Sequence, residues 1–153
     1  TTSHLVLLAK DNEGYHNLMK LVSAGYLEGF YYNPRMDKEL LSRHAKGLIC
    51  TSACLKGEVA WHLMQNNYLE ALKAADSYLQ IFGRGNYYIE IMDHGLEEQK
   101  KVNEGLLKIA KDLNLPIIVW RSWINTALLN GRWVATGMTL RNIICTNMLI
   151  AVN

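Results

Sequence analysis

A single cysteine stands where α/β proteins commonly place functional side chains. Cys54 follows a short apolar run that begins at Gly47, and it precedes Gly57, which opens the next predicted helix. An apolar run of this length predicts a buried strand, and ligands of open sheets and barrels bind beyond the carboxyl ends of parallel strands. Cys54 is therefore a candidate functional residue. The alternative is a small buried apolar residue, which is what most free cysteines are.

A second candidate cluster follows the run at residues 87–92, whose aromatic and β-branched residues predict a strand. Glu90 lies in this run, and Asp93, His94 and Gly95 come directly after it. Carboxylates and an imidazole at a strand end could bind a metal or transfer protons. A turn is the favoured alternative, because aspartate can bond its own backbone and glycine accepts a positive φ. The other helical histidines, His16, His44 and His62, have no partner at ligand spacing and are expected at the surface or the edge of the core.

Strand-like and helix-like segments alternate along the first 119 residues. Strands are expected at residues 4–9, in the run that begins at 47, and at 87–92 and 117–119, with amphipathic helices between them. This alternation predicts an α/β fold built from parallel strands and crossover helices. Four strands make about half of an α/β barrel.

Two apolar patterns predict local packing. One predicted helix carries apolar residues at steps of three and four, which places them on one face: Tyr15, Leu18, Met19, Val22 and Tyr26. The aromatic loop at residues 28–35 is expected to pack onto the barrel, although its aromatic rings and arginine could also stack on the bases of a single-stranded nucleic acid.

The bulk composition narrows the class of protein. A net charge of +2 leaves the partner open, and three cysteines without a disulfide framework point to the reducing cytoplasm. Half of the residues are hydrophobic, but no unbroken apolar segment has the length of a membrane span. Since the sequence starts without an initiator methionine, we expect a piece of a longer protein.

The composition changes at Trp120. Residues 120–153 contain no aspartate, glutamate or lysine, and they hold three of the four tryptophans. The surface of a soluble domain normally interleaves acids and bases. We therefore treat this tail as a separate region that is foreign, out of frame, or else buried or covered by a partner.

Three runs resemble the PHP (polymerase and histidinol phosphatase) domain of bacterial family C replicative DNA polymerases. The first extends from the apolar run at 4–9 through residues 14–23 to the aromatic loop; the second is Ser52-Ala53-Cys54-Leu55-Lys56-Gly57-Glu58; the third covers 88–95 and 98–107. The resemblance is collinear over residues 1 to about 119 and corresponds to the C-terminal half of that domain. It implies a partial PHP-type, TIM-like barrel.

The resemblance also implies a metal site. Family members that keep the site bind two or three metal ions, such as zinc, manganese or magnesium, for phosphoesterase or 3′–5′ exonuclease chemistry. His4 and Cys54 match two metal positions of the family. The family's His-x-His motif is not in this chain, and after Val119 its Thr-Asn-Asp-x-His run is replaced by Trp120-Arg121-Ser122-Trp123-Ile124. Two residues cannot hold a cluster of metal ions, so no cofactor is expected in this chain.

Two hypotheses of different classes remain. In the first, the chain is part of a replicative DNA polymerase, a nucleotidyltransferase whose partners are DNA and other replisome subunits. In the second, it is a catalytically silent fold fragment or a chimera. In either case half a barrel exposes open edges, which favours a homo-oligomer.

Overall fold

The computed structural model describes residues 2–93, 95–121 and 148–152. Within them, helices and strands alternate along most of the chain. The elements are β1 (Ser3–Ala9), α1 (Asn12–Leu27), β2 (Arg35–Met36), α2 (Lys38–Arg43), β3 (Leu48–Thr51), α3 (Glu58–Met64), α4 (Tyr68–Phe82), β4 (Tyr87–Asp93), α5 (Glu97–Asp112), β5 (Ile117–Arg121) and β6 (Met148–Val152).

The predicted fold class is confirmed. All four expected strands are present as β1, β3, β4 and β5, and they pair in this order within one sheet flanked by helices. The short strands β2 and β6 extend the sheet beyond β1, so that its order is β2-β6-β1-β3-β4-β5 in the described part of the chain. The result is a mixed α/β fold that corresponds to part of a PHP-type barrel.

One strand runs against expectation. The β3, β4 and β5 strands are parallel to one another, as predicted, but β1 is antiparallel to β3, with Val6 opposite Thr51 and Ala9 opposite Leu48. The expectation of parallel strands was therefore wrong for β1. The reason lies at the carboxyl end of β1, where the backbone N–H of Lys10 donates to the carbonyl of Gly47 at 2.9 Å. The chain leaves β1 and enters β3 at the same edge of the sheet.

That edge is closed by two glycines in direct contact. Gly14, in the first turn of α1, approaches Gly47 so closely that a Cβ on Gly14 would lie 1.8 Å from the Gly47 carbonyl oxygen. Gly47 itself has a φ of +74°, which favours glycine. Asp11 caps α1 at this point by accepting a hydrogen bond from the Gly14 N–H at 2.7 Å.

The core lies between the sheet and the helices. The apolar spacing predicts a helix over residues 68–82, and α4 has these bounds. The spacing in α5 predicts an inward face that includes Val102, Leu106, Ile109 and Ala110, and these four residues are buried. Tyr78 and Tyr87 are the largest fully buried side chains of the described residues. The other fully buried large residues are Leu5, Leu7, Leu21, Leu41, Leu48, Val59, Ile89, Val102 and Ile109.

The face that α1 buries differs from the predicted one. Its buried residues are Gly14, Leu18, Leu21 and Gly25, whereas Tyr15, Met19 and Tyr26 are exposed. Among the residues of the predicted face, Leu18 alone is fully buried. Glycines on the inner face let the helix backbone lie close to its neighbours. The spacing of large apolar residues does not reveal such a face.

The aromatic loop does not pack onto the barrel as expected. Phe30, Tyr31 and Tyr32 are exposed by 57%, 63% and 81%. Their contacts are mainly local: the Tyr31 and Tyr32 rings meet edge to face at 4.7 Å, and the Arg35 guanidinium lies 5.0 Å from the centre of the Tyr31 ring. Tyr32 also adopts a left-handed φ of +60°. The loop therefore forms an exposed aromatic surface.

The tail contributes strand β6, which lies between β1 and β2 and pairs antiparallel to the first and parallel to the second. Trp120 and Arg121 continue β5. The rest of the predicted separate region, residues 122–147, lies outside the described residues. No helix of the described chain combines the length and apolar character needed to cross a membrane.

We predict opposite effects for two glycine-to-alanine changes in α1. Gly14→Ala places a methyl group against the Gly47 backbone and should lower the free energy of unfolding by more than about 2 kcal/mol. Gly25→Ala places it at an ordinary 3.5 Å contact and should raise that free energy by about 0.5–1 kcal/mol through helix propensity. Chemical denaturation of both variants is the measurement. Equal effects of the two changes would contradict the close contact.

Candidate functional site

The antiparallel pairing of β1 and β3 brings both predicted metal positions to one edge of the sheet. His4 lies at the amino end of β1, and Cys54 follows the carboxyl end of β3. The Sγ atom of Cys54 is 3.5 Å from Nδ1 of His4. The backbone N–H of His4 also donates to the carbonyl of Lys56 at 2.9 Å. The two residues are thus held together by a side-chain contact and by the backbone of the same turn.

The turn between β3 and α3 gives Cys54 its position. Ala53 has a left-handed φ of +60°, which turns the chain sharply after β3. The turn closes when the Gly57 N–H donates to the Cys54 carbonyl at 2.8 Å. A Cβ on Gly57 would lie 2.2 Å from the carbonyl oxygen of Ser52, so the turn requires glycine at this position.

Glu58 is the last residue of the 52–58 run that resembles PHP domains, and it has a structural role. Its carboxylate lies 2.9 Å from Nζ of Lys38 and accepts a hydrogen bond from the Tyr78 hydroxyl at 2.7 Å. Lys38 also donates to Ser77 Oγ at 3.0 Å. These contacts join the start of α3 to α2 and α4, and they fix the helix that follows the turn.

The electrostatics of the pair favour a neutral imidazole. Burial, and then the positive charge of Lys56, lowers the pKa of His4 below its usual 6.5. A neutral ring near pH 7 keeps one nitrogen available as an acceptor or metal ligand.

Cys54 is half-buried, whereas Cys50 is fully buried. Burial, with the nearby carboxyl of Glu90, raises the pKa of Cys50 well above its usual value, which suppresses its reactivity.

A buried carboxyl group lies next to the turn. Glu90 in β4 is only 3% exposed, and its Oε2 accepts a hydrogen bond from the Thr51 hydroxyl. The Glu90 backbone N–H donates to Ser52 Oγ at 2.9 Å. Burial raises the pKa of Glu90, and the bond from Thr51 partly opposes this rise. The end of β3 is thereby joined to β4 by both the side chain and the backbone of one residue.

A small cavity adjoins this network. It has a volume of about 10 Å³ and is lined by Cys54, Glu90, Gln99 and Asn103, together with apolar side chains. This is about the space that one water molecule needs. The side chain of Asn103 donates to the Met92 carbonyl at 2.8 Å, which ties helix α5 to β4 beside the cavity.

Asp93, His16, His44 and His62, the other described sequence candidates, are not part of this network. The Gly95 N–H donates to Asp93 Oδ1 at 3.1 Å and Gly95 has a φ of +80°, so the predicted turn is confirmed; His94 lies outside the described residues. His16 is exposed, and His44 and His62 are half-buried.

The distance between Cys54 Sγ and His4 Nδ1 would allow both atoms to bind one metal ion. Zinc bound tetrahedrally at about 2.3 Å from sulfur and about 2.05 Å from nitrogen would place these two atoms about 3.6 Å apart. The observed separation is 3.5 Å. No group of three or more histidine, cysteine or acidic side chains at metal-binding distance exists among the described residues. The described part therefore brings together two candidate ligands but not a complete metal centre.

Comparison with known proteins shows the family of the chain. Residues 1–94 match the PHP domain family. The chain belongs to the PHP domain family. Similar curated proteins are DNA polymerase III alpha subunits from Treponema pallidum (50% identical over 116 residues, 76% of this chain), Helicobacter pylori strain 26695 (48% over 125 residues, 75%) and Deinococcus radiodurans (50% over 115 residues, 75%).

The matched region is a small part of those relatives. It covers 10% of the length of the Treponema and Helicobacter proteins and 8% of the Deinococcus protein. The PHP match includes Cys54, Gly57 and Glu58, and each of them has a distinct role in the structure. Cys54 contacts His4, Gly57 closes the turn, and Glu58 anchors α3.

Sequence reasoning missed the polar pair Thr51 and Glu90 as part of this site. The sequence pattern groups Glu90 only with Asp93 and His94, further along the same strand. One signal was available: a glutamate between Ile89 and Ile91 in a strand buried on both sides must find a hydrogen-bond partner in a neighbouring strand.

Glu90 should make stability depend on pH. Because burial raises its pKa above 4.5, the native state binds this proton more tightly than the unfolded chain does. Its contribution to stability is therefore complete below pH 4.5 and is lost as pH rises through the folded-state pKa. We predict that the free energy of unfolding of Glu90→Gln rises relative to that of the parent chain as the pH increases from about 4 to about 8, because only the parent chain loses this contribution.

The measurement is chemical denaturation of both proteins across that range. Glu98→Gln, at an exposed position on α5, controls for the loss of one negative charge. A Glu90→Gln difference that stays constant with pH, or that shrinks toward neutral pH, would contradict the buried carboxyl group.

Proposed function

We propose that this chain is part of the alpha subunit of a bacterial DNA polymerase III and acts in DNA replication. The observation that carries the proposal is the contact between His4 and Cys54, which keeps two metal positions of the PHP domain together in a sequence that resembles alpha subunits at 43–50% identity. DNA and other replisome subunits would be the partners of the whole protein. Its work would take place in the bacterial cytoplasm.

We further propose that His4 and Cys54 are metal ligands when the PHP domain is whole. A thiolate and an imidazole favour zinc over magnesium or manganese, which prefer oxygen ligands. A metal cluster in a complete domain would supply phosphoesterase or 3′–5′ exonuclease chemistry. The residues of this chain would orient two ligands and hold the turn. Since two ligands do not complete a centre, we propose that the chain is inactive on its own.

A graft tests the proposal. Residues 1–119 would replace the corresponding segment of the Treponema pallidum alpha subunit, to which this chain is 50% identical. We predict that the hybrid extends a primed DNA template at a rate within about threefold of the parent enzyme, because volume-conserving changes preserve a fold. Bound metal, measured by mass spectrometry after dialysis, should fall in the hybrids with His4→Ala or Cys54→Ala.

Cys50→Ala is the matched control, since it removes a thiol that is buried in the core and lies opposite Leu7, three residues along β1 from His4. A folded hybrid without primer extension would contradict the role in the polymerase. Unchanged metal content in the Cys54→Ala hybrid would contradict the ligand assignment and leave the polymerase role intact.

The second candidate is a catalytically silent fold fragment or chimera that self-associates, with residues 120–153 as a region foreign to the PHP domain. Two observations favour self-association. No described strand pairs with the outer side of β5, and the aromatic surface of Phe30, Tyr31 and Tyr32 is exposed. Unpaired strand edges and exposed apolar patches both favour association.

Light scattering tests this candidate. We predict that the mass of the isolated chain rises with concentration from 17.4 kDa toward that of a dimer. Replacing Phe30 and Tyr32 by serine distinguishes the contributions of the two surfaces to association, because it removes the aromatic side chains and leaves the β5 edge unchanged. A constant monomer mass at all concentrations would contradict self-association.

A further inference from the structure

The polar network between β3 and β4 extends to the backbone of the turn that carries Cys54. Thr51 Oγ1 donates to the buried carboxyl group of Glu90 and accepts a hydrogen bond from the Ala53 N–H at 3.3 Å. The hydroxyl of Thr51 is therefore a bridge between a fixed group on the neighbouring strand and the first residue of the turn.

That bridge acts at a strained position. Ala53 is left-handed, a conformation that a non-glycine residue adopts at a cost of about 1 kcal/mol or more. Such a conformation persists only when its surroundings hold it in place. The hydrogen bond to the Ala53 N–H does this directly. Ser52 is held as well, because its backbone N–H donates to the Tyr88 carbonyl at 3.0 Å and its Oγ accepts from the Glu90 N–H at 2.9 Å.

The next residue after Ala53 is Cys54, and the direction of its side chain follows from the backbone of the turn. A relaxed Ala53 would swing the Cys54 side chain away from His4. Thr51 and Glu90 bond to each other, to the Ala53 N–H and to Ser52, so their effect on the pair passes through the residues that precede Cys54.

We propose that Thr51 and Glu90 are positioning residues that hold Cys54 against His4. The inference deepens the proposed function, on which it rests, because it explains how one ligand of the PHP metal site is oriented before a metal binds. Fixed ligand geometry is the general requirement of such sites, and groups outside the ligand shell commonly provide it.

The test measures the alkylation rate of Cys54 by iodoacetamide in the isolated, metal-free chain, with peptide mapping by mass spectrometry. Thr51→Val removes the hydroxyl at similar volume and should accelerate alkylation of Cys54 by about fivefold, the population change expected when one net hydrogen bond is lost. Thr51→Ser keeps the hydroxyl and should react within about twofold of the parent chain.

Cys50 provides an internal reference, because it is fully buried and reacts only when the fold opens. Thr51→Val leaves the Glu90 carboxyl group without its partner, so a second variant, Thr51→Val with Glu90→Leu, replaces both polar groups by apolar ones and protects the fold. It should show the same acceleration at Cys54 with Cys50 unchanged.

A Cys54 rate within about twofold of the parent in the double variant would overturn the proposal, as would equal acceleration of Cys54 and Cys50. Because the assay contains neither metal nor DNA, its result is independent of the graft experiment. Slow alkylation in every variant would overturn the positioning role and leave the polymerase assignment standing.

Discussion

The antiparallel pairing of β1 with β3 is the constraint on which the site depends. It places the amino end of one strand beside the carboxyl end of the other, so that His4 and Cys54, 50 residues apart in sequence, come within 3.5 Å. If β1 ran parallel to β3, His4 would lie at the opposite edge of the sheet. The contact of Gly14 with Gly47 supports this pairing, because it lets the chain turn between the strands without a side chain in the way.

At the carboxyl end of β3, the same polar groups stabilise the fold and fix the backbone of the turn. Glu90 is costly to bury, and its bond to Thr51 offsets part of that cost. Thr51 in turn holds the strained backbone of Ala53. The turn that presents Cys54 is thus connected to the interior of the sheet, and a change in the core can alter the site without a change in His4 or Cys54.

Much of the fold follows from the sequence, because strand-length apolar runs and amphipathic helices leave clear patterns. Helix α4 matches its predicted bounds, and the resemblance to PHP domains singled out His4 and Cys54, which lie 3.5 Å apart in the structure. The direction of β1 could not be predicted, because its apolar pattern is the same for a parallel and for an antiparallel strand. The buried face of α1 was missed because glycines form much of it. The link from Glu90 to Thr51 depends on contact between residues 39 apart, which local periodicity does not encode.

A nuclear Overhauser effect between the His4 ring and the Cys54 β protons tests the central claim most directly, because it reports the distance between these side chains in solution. Cross-strand effects between Val6 and Thr51 provide the control for folding and register. We predict a clear effect from the ring proton next to Nδ1 of His4 in the metal-free chain. Its absence, with the cross-strand effects present, would show that the fold does not hold these two side chains together.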